Sequence, residues 1–304
     1  MKTIQLNKKN TLELPETWED LSFKNKIFTF GILSELLANR ITPDIARLKM
    51  LIQYTGYKPS GWKFFKEAFK KEQTDERETI NFNLFRLSEM LNFAFTVDEN
   101  IITPNHRFTT APIRYIKIGK ESYTGRHFEL NITANTDITA REFADCFDLL
   151  SCQQKLENEY QKEECVNQII SILFPKFLNY RQNQVSDHIK KVRFLSPEIK
   201  FGILFWFMGI VKFYTEHPIY SILFTGNGKK SDSTEKISLG MNEIILSLKK
   251  EGFGDAETMT VNDYFDAQIK YLKDNINKAI SEGVKKDKLS QSTGISLSVI
   301  NKLS

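Results

Sequence analysis

Apolar residues recur at helical spacing along most of this chain and at every second position in only a few short stretches. After Pro15, residues Ile27, Phe30, Ile32, Leu33, Leu36 and Leu37 mark one helix, with Ser22 as its natural N-cap. Thr42-Pro43-Asp44 starts a second, whose apolar face carries Ile45, Leu48, Leu51 and Ile52 and which Gly56 and Pro59 end. An aromatic segment over 62–69 and a charged link over 70–78 lead to a third, strongly apolar helix over 80–95. Thr139-Ala140-Arg141-Glu142 is a capping box, so helices are expected over about 139–154 and 160–174. Ser196-Pro197-Glu198 opens an apolar helix to residue 214, and a last pair, roughly 235–251 and 260–282, flanks Gly252-Phe253-Gly254-Asp255.

Period two appears in two places. Ile4, Leu6, Leu12 and Leu14 surround Asn7-Lys8-Lys9-Asn10, which suits an N-terminal arm or hairpin over 1–14. Between 97 and 133, Tyr115-Ile116-Lys117-Ile118 and His127-Phe128-Glu129-Leu130-Asn131-Ile132 alternate about a turn at 119–125, predicting one β-hairpin insert. Two strands alone are marginal, so the insert must lean on a helical neighbour or a partner, and its free edge is a docking candidate.

The pattern also repeats. Asp20-Leu21-Ser22 through Ser34 is echoed by Asp137-Ile138-Thr139 through Ser151, with Phe30 on Phe147 and Lys24 on Arg141. At nearly the same offset, Ile80, Phe82, Leu84 and Leu91 fall on Ile199, Phe201, Ile203 and Ile210. The expected fold is therefore mainly α: an arm (1–14), helical unit 1 (15–96), the hairpin insert (97–133), a related helical unit 2 (134–225), a linker (226–234) and a C-terminal helical extension (235–304).

Composition narrows the class. With 24 Phe and 10 Tyr against 14 Gly and 8 Pro, the chain has much aromatic mass to bury and few helix breaks. The 42 basic and 38 acidic residues are too evenly mixed to point to nucleic acid by themselves. Residues 201–211, between Lys200 and Lys212, fall well short of the roughly 20 apolar residues a bilayer span needs, so no membrane partner is expected. The first residues lack the apolar run of a secretion signal, which predicts an intracellular, cytoplasmic location.

Candidate chemistry is sparse. His106, His127, His188 and His217 lie far apart, outside any HExxH spacing, and are expected at the surface or in turns. Cys146, Cys152 and Cys165 match no zinc pattern and read as reduced thiols. Lys155, Glu157, Glu159, Lys162, Glu163 and Glu164 alternate in sign as an exposed helix face does. Gly226-Asn227-Gly228-Lys229-Lys230-Ser231 imitates a phosphate loop without its spacing, so a linker accounts for it. Neither a cofactor nor a metal is expected, and with no nucleophile beside a base an enzyme is the least favoured class.

Residues 289–303 do carry a sharper pattern, the core of a helix-turn-helix, with Gly294 at the turn and Ile295, Val299 and Ile300 as packing positions. It would place Leu297, Ser298 and Asn301 near bases and Lys285, Lys286 and Lys288 near phosphates. Separately, the aromatic residues in excess of one core, Trp62, Phe64, Phe65, Phe69, Tyr220 and Phe224, are candidates for protein binding.

Three segments carry a family likeness: Leu14-Pro15-Glu16-Thr17-Trp18-Glu19-Asp20-Leu21-Ser22, residues 199–214 with Phe205-Trp206-Phe207 at their centre, and Gly252-Phe253-Gly254 followed by residues 261–272. In these the chain resembles a group of phage- and prophage-encoded proteins of Bacteroidetes found near tail genes. That resemblance implies a non-enzymatic structural or assembly role through protein-protein contacts, such as a tail-assembly chaperone whose partner is another phage structural or tail protein. The alternative expectation is a DNA-binding regulator that uses the C-terminal helix-turn-helix.

Overall fold

A computed structural model describes residues 1–5, 11–56, 85–99, 101–130, 134–176, 188–224, 255–293 and 295–304. The chain divides into two compact units, Met1–Ile113 with Leu195–Trp206, and Arg114–Phe194 with Phe207–Ser304.

In the first unit, β1 (Lys2–Gln5) pairs antiparallel with β2 (Thr11–Leu14). Helix α1 (Phe23–Leu37) starts where the Ser22 hydroxyl accepts the Asn25 N–H, and α2 (Pro43–Thr55) where Thr42 accepts from Ile45. Pro43 occupies the first turn of α2, where its missing N–H costs nothing, and Gly56 ends the helix in the left-handed region. Trp18, 1% exposed, forms the centre of this core: it stacks on Phe30 at 5.2 Å and meets Phe108 at 4.8 Å. Its indole N–H donates to the Asn105 carbonyl at 3.0 Å, so the ring is buried without leaving a polar atom unpaired. The hairpin β3 (Phe95–Asp98) and β4 (Ile101–Pro104) completes this unit's strands among the described residues.

The second unit holds two more hairpins, β5 (Tyr115–Ile118) with β6 (Glu121–Thr124) and β7 (Phe128–Leu130) with β8 (Ala134–Thr136). Helices α3 (Ala140–Lys155) and α4 (Glu159–Leu173) pack against each other, and the Thr139–Glu142 capping box forms at the start of α3. Helix α5 (Pro197–Glu216) contributes its first half to the first unit and its second half to this one. In the second unit's core, Phe143 meets Tyr214 at 5.3 Å and Phe265 at 5.7 Å, both edge to face. A short 3-10 turn (Tyr220–Leu223) and helices α6 (Val261–Ser281), α7 (Lys286–Thr293) and α8 (Leu297–Leu303) follow.

The architecture is thus mixed α/β, with four small two-stranded antiparallel sheets among the described residues, and not mainly α with a single hairpin insert between two related helical units. The reason is local. Gly119, at φ +63°, closes a two-residue turn with Lys120, so Tyr115–Ile118 pairs with its immediate neighbour Glu121–Thr124 rather than with the strand at Phe128. That later strand finds its own partner in Ala134–Thr136. Similarly, helical structure near the expected 80–95 helix ends by residue 88, and Phe95 opens a strand. The local echo of 20–34 in 137–151 does coincide with two capped helix starts, since Ser22 and Thr139 each accept the N–H three residues on. Its continuation, Ile80, Phe82 and Leu84, lies outside the described residues, as do the expected linker and the 235–251 helix.

Candidate nucleic-acid interface

The C-terminal helices are built from two apolar stripes on α6. Its first half buries Val261, Tyr264 and Phe265 in the aromatic core, whereas Ile269, Leu272, Ile276, Ala279 and Ile280 recur at helical spacing toward a second, smaller cluster. Glu282-Gly283-Val284 terminates α6 in a Schellman motif: Gly283 sits at φ +87°, its N–H donates to the Ile280 carbonyl, and the Val284 N–H donates to that of Ala279. That reversal carries α7 back across the helix. Leu289 from α7 and Ile300 and Leu303 from α8 then close the cluster with Ile222, Ile276 and the partly buried Ile295 and Val299. Ile300 is fully buried, which is worth about 1.5–3 kcal/mol for a side chain of its size. The Ser290 hydroxyl donates to the Ile295 carbonyl at 2.7 Å and braces the turn between α7 and α8; Gly294 itself lies outside the described residues.

Burying Ile300 and Leu303 decides what α8 shows to solvent. Leu297, Ser298, Asn301 and Lys302 are exposed and share one face by their three- and four-residue spacings. Lys285 and Lys288 are exposed and adjoin by the same spacing. Lys286 differs from the other two. It is half-buried, and its ammonium donates to Asn301 Oδ1 at 3.2 Å and Ser304 Oγ at 2.5 Å. The structure therefore brings together two of the sequence candidates, Lys286 and Asn301, that local pattern assigned to different tasks. Lys302 was absent from those candidates, although its exposure follows from being two residues past buried Ile300 on a helix.

Of the protein-binding candidates, Trp62, Phe64, Phe65 and Phe69 lie outside the described residues. Tyr220 and Phe224 are half-buried against the second unit's core. Tyr220 lies 4.5 Å from the His217 ring and donates its hydroxyl to Asp266 at 2.6 Å, and Phe224 packs 6.0 Å from Phe147 and 5.7 Å from Phe265.

Polar groups elsewhere serve the fold. Glu142 is fully buried, with one oxygen accepting from Arg126 at 2.5 and 3.1 Å and the other accepting the Thr139 N–H. Burial pushes its carboxyl up, and the Arg126 guanidinium opposes that shift. His188 is 4% exposed, so of the four histidines it departs from the surface position expected of it. Its Nε2–H donates to the Phe174 carbonyl at 2.8 Å, which leaves Nδ1 as a buried acceptor, and burial holds the imidazole below its ordinary range. His106 covers the Phe205 ring at 4.0 Å, and His217 Nδ1 accepts the Ile219 and Tyr220 N–H groups in a turn. Cys146 and Cys165 are buried, Cys152 is exposed, and all three are free thiols.

A cavity of about 490 Å³ opens beside β6, lined by Glu121, Tyr123, Arg126, Asp137 and Lys176 among others. Its charges are already engaged: Glu121 accepts from Lys191 and Tyr123, Asp137 from the His127 N–H, and Arg126 is tied to Glu142. Among the described residues no group of three or more His, Cys, Asp or Glu side chains gathers to hold a metal ion, and no helix is long and apolar enough to cross a membrane. No known protein family, curated protein or solved structure matches the chain.

Proposed function

We propose that the chain is a DNA-binding protein that docks α8 on a duplex and steadies it with lysines at and beyond α7. The observation that carries this reading is the small α6–α8 core. It leaves Leu297, Ser298, Asn301 and Lys302 exposed on α8 and Lys285 and Lys288 exposed at and just before the start of α7, with Asp287 as the one acidic side chain of residues 285–304. Base-edge contacts need side chains standing out from a firmly seated helix, and phosphate contacts need mobile cations beside it. Fluorescence anisotropy of the full chain on a labelled duplex tests the reading: affinity must fall steeply with salt and must be lost when Lys285, Lys288 and Lys302 are replaced together by Gln. Binding that ignores both changes refutes it.

A second reading, a phage-derived assembly protein working through protein contacts as the tail-gene resemblance implies, is favoured by the β3–β4 hairpin. It exposes Ile101 (68%) and Val97 (36%), apolar side chains at the rim of a two-stranded sheet. Co-expression with the hydrophobic tail component of the encoding phage tests it. Ile101→Lys with Val97→Lys should lower the soluble yield of that component, and an unchanged yield counts against the role. Neither reading requires enzymatic chemistry.

A further inference from the structure

Lys286 has no acceptor atom, so the carboxamide atom it meets at 3.2 Å on Asn301 must be the oxygen. The Asn301 Nδ2 is thereby turned away from Lys286. Two further contacts hold the lysine in place. It donates to Ser304 Oγ, and it sits at the C-terminal end of α8, where the helix dipole favours a cation. Half-buried between two helices, it is poorly placed to leave for a phosphate, unlike exposed Lys285 and Lys288.

The major-groove edge of adenine offers one acceptor and one donor, and an asparagine normally answers it with both Nδ2–H and Oδ1. Guanine offers two acceptors, N7 and O6, and asks only for donors. We propose that Lys286, by holding Asn301 Oδ1 toward itself, turns the Asn301 Nδ2 outward, so that on a duplex its two N–H groups select guanine, which offers both N7 and O6, over adenine, which offers N7 alone, at one base position. This inference rests on the duplex-binding reading above. Lys286 is a positioning residue here, and Asn301 is the residue that touches the base.

Selection of full-length protein on a randomised duplex library, followed by affinity measurements on the enriched site, separates the two claims. Wild type should enrich guanine at one position, by about fivefold or more over adenine, the lower range for a specific base contact. Lys286→Met lets the carboxamide turn so that Oδ1 as well as Nδ2 faces the base and should move the preference at that position to adenine, whereas Lys286→Arg, which still donates to Oδ1, should keep guanine. Asn301→Ala should flatten the preference there. A merely structural role for Lys286 would lower affinity for all sequences without exchanging one base for another. Wild type that enriches adenine, or a Lys286→Met protein that binds with unchanged preference, overturns the inference and leaves duplex binding intact. Wild type that binds no duplex overturns both.

Discussion

Replacing Lys285 and Lys288 by Gln isolates the electrostatic part of the duplex contact. Both residues are exposed and lie outside the apolar cluster of α6, α7 and α8, so the substitution removes charge without opening that core. With Lys302 they make up the three exposed cations of this tail. Each phosphate neutralised by such a cation contributes about −0.9 to the slope of log affinity against log salt, which gives a slope of about −2.7 for the three and about −0.9 once two are removed. Between 50 and 200 mM salt the wild type should therefore lose about 40-fold in affinity and the double variant about 3.5-fold. Anisotropy titrations on one labelled duplex at four salt concentrations give both slopes directly, and circular dichroism confirms that helix content is retained. Identical slopes would mean that these lysines face no phosphate, and the proposed docking face would be wrong.

Three further outcomes follow from the packing. Ile300→Ala removes a fully buried side chain from the C-terminal cluster and should cost about 2–5 kcal/mol there, releasing α7 and α8 to rapid amide exchange while the Trp18 core stays protected; uniform protection would show that the cluster does not hold the tail. Arg126→Met leaves the Glu142 carboxylate buried without its partner and should lower stability by about 3–5 kcal/mol in urea titrations, most of which Arg126→Met with Glu142→Gln should restore; an additive double variant would refute the coupling. His188 carries an imidazole held below its ordinary pKa by burial, so the unfolded chain takes up the proton first and stability should fall as pH drops below about 6.5; the His188→Gln protein should show a shallower loss, and parallel curves would dismiss the effect.

Helix starts were legible along the chain because a cap is decided within four residues. Ser22, Thr42 with Pro43, and the Thr139–Glu142 box each begin the helix their side chains predict, and Ile295, Val299 and Ile300 pack inward as their spacing predicts, whereas Leu303 joins them without having been singled out. Strand partners were not legible in the same way. Tyr115–Ile118 and Phe128–Leu130 alternate equally well, and only the turn at Gly119 and the available neighbours decide that each pairs locally. The segments that carry the phage resemblance contain Trp18, Phe205, Trp206, Phe207 and Phe265, all of them core residues. Such positions record how a chain packs, and packing is shared by proteins with different tasks.

The candidate site divides along the same line. Its turn, its buried anchors and its lysines follow from residues a few places apart. The bond between Lys286 and Asn301, and the burial of His188 against the Phe174 carbonyl, join residues on separate segments. Local periodicity determines which face of a helix is apolar. Only tertiary packing decides which polar group on the opposite face meets which, because that depends on where a second helix is brought to lie.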